Sequence, residues 1–375
     1  VTVRKLFIYF SVLALALLLL TRGPAPVKEI TGTPGRVTLT GGPMVQRGNT
    51  DGLTSMVIAW RTREESNSQV DYGETSDYGQ RAVTYDVTDR HAVVLRHLKP
   101  DTQYHYRVLS DNNVLARAVF QTGKTADRPF KFAVLGDSGS GTTRQYLVAQ
   151  QVENQAVDLI IHTGDVVYPS GKDKDYPARF YLPYKNLLAR IALLPAIGNH
   201  DLETANGQAW LDNFVLPGQE RFYSFSYGNA LFVALDSYRS NRESARWLEA
   251  QLAGTDKLWK FVYFHEPPFS NHKNRSGHAD ARGLWVPLFS RYRVDVVFSG
   301  HDHMYTRFQP RDGIHYIVEG LGGNSFQKIK PQAKEVLVTN NTEFGFGLVE
   351  IVGRKLVFKH ITASGDVLDT FSLRK

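Results

Sequence analysis

The chain has 375 residues, 42% hydrophobic and 22% charged, which suits two globular domains with cores of their own and excludes a disordered chain. Cysteine is absent, so disulfide scaffolds, thiolate metal sites and cysteine nucleophiles are excluded, and any metal must be held by nitrogen and oxygen. The net charge of +7 suits an anionic partner, but no Lys/Arg run of the kind that binds nucleic acid appears, and no nucleic acid partner is expected. At the N-terminus, Arg4 and Lys5 precede an apolar run at residues 6–20, closed by Thr21-Arg22-Gly23-Pro24. A basic flank, an apolar stretch short for a membrane span and a polar stop are the layout of an export signal. Residues 1–23 therefore read as a signal peptide or signal anchor. The remainder is expected to be extracytoplasmic: secreted or periplasmic, or held at a membrane through that segment alone. Residues 24–36, rich in Pro, Gly and Thr, read as a linker.

Short alternating runs at residues 55–60, 69–73, 91–95 and 104–108, separated by turn residues, predict an all-β sandwich over 37–124. Within it Leu98-Lys99-Pro100-Asp101-Thr102-Gln103-Tyr104 resembles the corner motif of fibronectin type III domains, and Trp60 fits an early buried tryptophan. The pattern changes at residue 130. Apolar strands at 132–135, 158–161, 193–197, 261–264 and 295–298 alternate with helical segments at 142–154, 179–190, 244–252 and 284–292, which predicts an α/β domain over 130–375. After residue 314 the chain returns to strands, suggesting a second sheet packed on the first.

Each of the five apolar strands runs into a polar cluster. In order these are Gly136-Asp137-Ser138-Gly139, Gly164-Asp165-Val166-Val167-Tyr168, Gly198-Asn199-His200-Asp201, His265-Glu266-Pro267-Pro268 and Gly300-His301-Asp302-His303. Ligands of open α/β sheets bind at the carboxyl ends of the strands, so the five clusters are expected to converge on one sheet edge. Taken singly, each has a plain explanation: a helix N-cap for Asp137 or Asp201, a turn for Gly198-Asn199, a buried structural histidine for His265. Together, convergent carboxylates and imidazoles repel one another unless cations sit among them, and an oxygen and imidazole set suits iron, zinc or manganese. Asp137, Asp165, Tyr168, Asn199, His265, His301 and His303 are enough for two ions with one shared carboxylate. His162 faces away by strand alternation and reads as structural.

These blocks resemble the calcineurin-like metallophosphoesterase superfamily. Asp137-Ser138-Gly139 in place of the commoner D-x-H, compensated by Tyr168 three residues after Asp165, resembles the purple acid phosphatases within it. Gly320-Leu321-Gly322-Gly323-Asn324 is similar to that family's glycine-rich segment. The resemblance implies a four-layer αββα sandwich behind the fibronectin-like domain. It implies a ferric ion held by Asp137, Asp165, Tyr168 and His303, and a divalent iron, zinc or manganese ion held by Asn199, His265 and His301, with Asp165 bridging. It implies hydrolysis of a small phosphate ester by hydroxide bound at that binuclear centre, with a coloured phenolate complex at Tyr168. His200 then looks like a phosphate contact and proton donor. His272 is the expected second donor, although Lys273 stands where plant members place a further histidine. Tyr305 and Arg307, just after the last block, are candidates to line the substrate pocket; as strand residues they fit a surface equally. The expected activity is phosphomonoester hydrolysis. The alternatives are a phosphodiesterase or nucleotidase with the same metal site, or a non-catalytic extracytoplasmic binding protein.

Overall fold

The computed structural model describes residues 36–331 and 333–375. The expected export segment at 1–23, and the linker apart from Arg36, lie outside the described residues. Strands β1 (Leu39–Gln46), β2 (Met56–Gly73), β3 (Gln80–Leu95), β4 (Gln103–Ser110) and β5 (Asn113–Gln121) build the N-terminal all-β region. The runs read separately at 55–60 and 69–73 are the two halves of the single long strand β2. Ser66-Asn67-Ser68 between them does not turn the chain, which stays extended and bends at register shifts between Arg61 and Ser68. Its first half pairs with β1 and its second with β4, while β3 follows it along both. Trp60, Tyr104, Tyr106 and Phe120 fill the core, and the Lys99 N–H donates to the Tyr104 hydroxyl at 2.9 Å, closing the corner.

The second region stacks two sheets. One has the order β18-β17-β16-β6-β7-β8 and the other β15-β13-β14-β12-β11-β10-β9. The first comprises β6 (Phe130–Leu135), β7 (Leu159–His162), β8 (Ala192–Pro195), β16 (Gly345–Val352), β17 (Lys355–Thr362) and β18 (Val367–Arg374). The second comprises β9 (Tyr223–Tyr227), β10 (Ala230–Ala234), β11 (Trp259–Tyr263), β12 (Val296–Ser299), β13 (Tyr305–Phe308), β14 (His315–Glu319) and β15 (Val336–Asn340). Aromatic rings zip the facing surfaces together: Phe132 meets Phe232 and Phe261 at 5.0 Å each, and Phe298 meets Phe358 at 6.2 Å. Helix α1 (Thr143–Asn154) covers the outer face of the first sheet with Val148, Ala149 and Val152. Helices α2 (Arg242–Ala253), α3 (Ala279–Leu284) and α4 (Val286–Arg291) cover the second with Leu248, Leu252, Trp285 and Phe289. This is the expected four-layer α/β architecture.

Two expected helices are broken. The expected helix at 179–190 is a short π-helical segment at Pro177–Tyr181 and a short α-helix at Lys185–Leu188, separated around Pro183, which lacks the N–H a continuous helix needs. Residues 284–292 split at Trp285, with Pro287 in the first turn of α4. The β9–β10 hairpin, turning at Gly228, was not anticipated. The β region and the two-sheet region form one compact unit over Val37–Lys375. Arg61 bonds Asp173 at 2.6 Å and the Tyr106 hydroxyl donates to the Ala189 carbonyl at 2.8 Å, tying them together.

Candidate metal centre

The five clusters do meet, but not on the edge of one sheet. Asp137, the Asp165–Tyr168 loop and Asn199 follow β6, β7 and β8 of the first sheet, whereas His265, His301 and His303 follow β11 and β12 of the second. The rim is shared by two stacked sheets. Hydrophobic periodicity marks strands and their ends; it carries no record of which sheet a buried strand joins. The loops turn sharply: Asp137 and Asp165 both have φ of 55°, and His301 has 67°, left-handed values that cost energy for residues with a Cβ. Two glycines make the close approach feasible. A Cβ on Gly198 would overlap the Asp165 carboxylate, and one on Gly300 would overlap that of Asp137.

All seven expected ligands are linked by contacts near 3 Å. The Tyr168 hydroxyl lies 2.8 Å from Asp165 Oδ2, 3.0 Å from Asp137 Oδ1 and 3.1 Å from His303 Nε2. His265 Nε2 lies 3.3 Å from Asp165 Oδ2 and 3.2 Å from Asn199 Oδ1, and His301 Nδ1 lies 3.0 Å from Asn199 Oδ1. Asp165 Oδ2 is common to both groups. The ligand atoms of Asp137, Asp165 and His265 all fall within 4.8 Å of one another.

Hydrogen bonds alone do not satisfy this arrangement. The one phenolic proton of Tyr168 faces two carboxylate oxygens and a ring nitrogen, and can serve only one of them. His265 Nδ1–H donates to the Thr163 carbonyl at 3.0 Å, which leaves the Nε2 lone pair of a neutral ring pointing at two oxygens. Protons answer the conflict only by strong shifts. Burial opposes charge on His265, but Asp165 and Asp137 outweigh it and push the ring up to about 10. Burial opposes ionisation of Asp165 too, yet His265 and His200 hold its carboxyl well below the usual range. Burial, then Asp137 and Asp165, raise the Tyr168 phenol. Burial and His265 lower His301 to about 3. Nitrogen and oxygen donors, buried together with lone pairs converging and no thiolate among them, fit cations of the iron and zinc type.

Residues 130–305 match the calcineurin-like phosphoesterase family, and residues 45–124 match the purple acid phosphatase N-terminal domain. The chain joins a purple acid phosphatase N-terminal domain to a calcineurin-like phosphoesterase domain. It is 28% identical over 313 residues to purple acid phosphatase 21 of Arabidopsis thaliana, covering 76% of this chain and 70% of that protein. It is 26% identical over 346 residues to Fe(3+)-Zn(2+) purple acid phosphatase 12 of the same plant, covering 79% and 72%. The purple acid phosphatase isolated from yellow lupin (Lupinus luteus) seeds shares the fold, with a TM-score of 0.80 at 17% identity over 88% of this chain and 74% of that one. The chain is a phosphoesterase of purple acid phosphatase type.

Among the remaining expected residues of this phosphoesterase, His200 stands at the centre. Its N–H donates to Asp165 Oδ1 at 2.9 Å, its ring lies 4.5 Å from that of Tyr168, and its Nδ1–H donates to the Pro169 carbonyl, which turns Nε2 towards the site. Three expectations need correction. His272 Nδ1 accepts the Asn274 N–H at 3.2 Å, and the residue does not line the 360 Å³ cavity beside His301. Its side of that loop is pinned by a backbone bridge to Ile329, which sequence spacing could not reveal. Tyr305 is fully buried, donates to Asp369 Oδ2 at 2.5 Å and stacks on His360 at 4.0 Å. Arg307 forks onto Asp369 at 2.6 and 2.9 Å. Strand β13 sits inside its sheet, so these side chains serve the layer interior rather than the substrate pocket.

Further residues brace the ligand loops, among them His162, which the sequence reads as structural. Asp201, fully buried, accepts the N–H groups of Val166, Val167 and Gly198 at 3.0–3.2 Å and so ties two ligand loops together. Burial and Asp165 raise its carboxyl to about 7. His162, fully buried, accepts the Gly164 N–H and bonds Ser138 at 2.9 Å, bracing the same loops. Ser325 Oγ meets His303 Nδ1 at 2.7 Å, and the Asn324 N–H donates to the Asp137 carbonyl at 3.2 Å, which gives the glycine-rich segment its purpose. The cavity is lined by Glu266, Arg275, His278 and His301 among others. His278, thirteen residues after His265, carried no signal beyond being a histidine.

Proposed function

We propose that this protein hydrolyses phosphate monoesters outside the cytoplasm, using a ferric ion and a divalent iron, zinc or manganese ion. The observation that carries the reading is the convergence of seven side chains with opposed lone pairs, in two groups joined through Asp165 Oδ2, which Tyr168 meets at 2.8 Å and His265 at 3.3 Å. Asp137, Asp165, Tyr168 and His303 would hold the ferric ion, and Asp165, Asn199, His265 and His301 the divalent one. Together the ions would supply Lewis acidity for phosphoryl oxygens and a nucleophilic water at moderate pH. A phenolate ligand favours the trivalent ion, and a relative bearing both Fe(3+) and Zn(2+) in its name supports the pairing.

The chain's own groups supply the remainder. His200, with its tautomer set by the Pro169 carbonyl, presents Nε2 on the open side of Asp165 and is placed to bind a phosphate oxygen and give a proton to the leaving group. Arg275 is spent on the His301 carbonyl, Asp302 and Gln327, so it shapes the cavity wall rather than offering a free cation. The apolar N-terminal stretch supports export, with membrane association only through that segment.

The test is metal analysis with a visible spectrum, together with turnover of p-nitrophenyl phosphate against bis-p-nitrophenyl phosphate. Two ions per chain, a phenolate band and preference for the monoester are expected. Preference for the diester points to the phosphodiesterase alternative. Absence of both ions and both activities sinks the reading.

A further inference from the structure

Glu266 follows the candidate ligand His265 directly, but its carboxylate faces the cavity instead of the shared oxygen of the centre. Its own N–H donates to Ser237 Oγ at 3.2 Å, fixing the backbone beside Pro267 and Pro268. Three side chains converge on the carboxylate. His301 Nε2 lies 3.6 Å from Oε1, and His278 Nε2 lies 3.2 Å from Oε2. The Tyr238 hydroxyl shares itself between Glu266 and Asn199 Oδ1, the latter at 3.2 Å. Among the described residues, no lysine or arginine forms an ion pair with this carboxylate, so its partners are these rings.

The two histidines are anchored on their far sides. His278 Nδ1 accepts the Ala281 N–H at 3.2 Å as the cap of α3, so the neutral ring carries its proton on Nε2, facing Glu266. His301 turns Nδ1 towards Asn199 Oδ1 at 3.0 Å, on the metal side, and Nε2 towards Glu266. A carboxylate behind a ligating imidazole fixes the ring's rotation and tautomer and strengthens it as a donor.

We propose that Glu266 is the positioning residue of the divalent half of the centre, orienting His301 with one oxygen and holding His278 at the cavity wall with the other. This rests on the reading of His301 as a ligand given under the proposed function. Glu266→Gln nearly preserves shape, but its amide offers one acceptor oxygen where two N–H donors face it, and its NH2 opposes the second donor.

The experiment measures zinc affinity of the iron-loaded full chain by competition with a chelator, alongside iron content and the visible band. In Glu266→Gln the zinc dissociation constant is expected to rise about 10- to 100-fold, with iron and colour retained. His278→Gln, which leaves the His301 contact in place, is expected to keep wild-type zinc affinity. Glu266→Asp, charged but too short to span both rings, gives a smaller rise and keeps the test open should the glutamine variant not fold. Wild-type zinc affinity in both Glu266 variants overturns this inference alone. A wild-type protein that takes up no metal overturns the proposed function and this inference together.

Discussion

Two regions of the molecule press opposite charges together, and they differ in whether their own donors and acceptors balance. On the β region, Asp71 takes Arg81 at 2.7 Å on one oxygen and Arg107 at 2.8 Å on the other, with Gln69 at 3.0 Å. Every acceptor there finds a donor, and the ladder crosses three neighbouring strands at one register position, Arg81–Asp71–Arg107. At the rim of the stacked sheets, Asp137 and Asp165 face three histidines, an amide and a phenol whose hydrogens cannot serve all their neighbours. The ladder is a structural device. The rim gathers nitrogen and oxygen donors with opposed lone pairs, an arrangement that suits cations. Buried charge by itself says little about role; whether donors and acceptors balance says much more.

Substitutions can break or sharpen that contrast. The largest effect is expected for Asp165→Asn, which removes the shared anionic oxygen: metal analysis should show loss of the paired ions, and turnover should fall by far more than about 100-fold, the upper range for outer-shell partners. His200→Ala should retain both ions while kcat falls by about 10²- to 10⁴-fold, the usual share of a positioned proton donor. In the same assay His272→Ala should be nearly silent; a large loss there would restore His272 to the role assigned from sequence. Tyr168→Phe should bleach the visible band while circular dichroism stays that of the native fold, and an unchanged spectrum would remove Tyr168 from the site.

The smallest effect belongs to the ladder. Asp71→Asn should leave metals and turnover unchanged and lower the melting midpoint at pH 7 by about 2–4 °C. Burial opposes ionisation of Asp71, but Arg81 and Arg107 outweigh it and hold the carboxyl below its ordinary 3.8. A depressed folded pKa contributes stability above pH 3.8 that disappears as pH falls through the folded value. The gap between wild type and Asp71→Asn should therefore close in that acid window. A gap that persists at lower pH would mean that packing, not charge, accounts for the loss.

Much of the centre was legible in the chain because its side chains follow short apolar strands directly. A strand end marks a place in an α/β fold, and four glycines before polar residues mark turns tight enough to expose them. Tyr305 and Arg307 misled because they follow the last block in sequence, while the chain has already re-entered the sheet as β13. Glu266, His278 and Tyr238 were not legible as a group: they come from three separate segments, and nothing in local pattern joins them.

By itself the sequence determined the two-region plan, the absence of thiolate chemistry and the identity of the seven convergent donors, because composition and strand periodicity are local properties. Only the tertiary structure decided that two sheets share the rim, that Asp369 claims Tyr305 and Arg307, and that Glu266 stands behind His301. Those outcomes depend on which distant segments pack together, and packing is set by the whole chain rather than by any window of it.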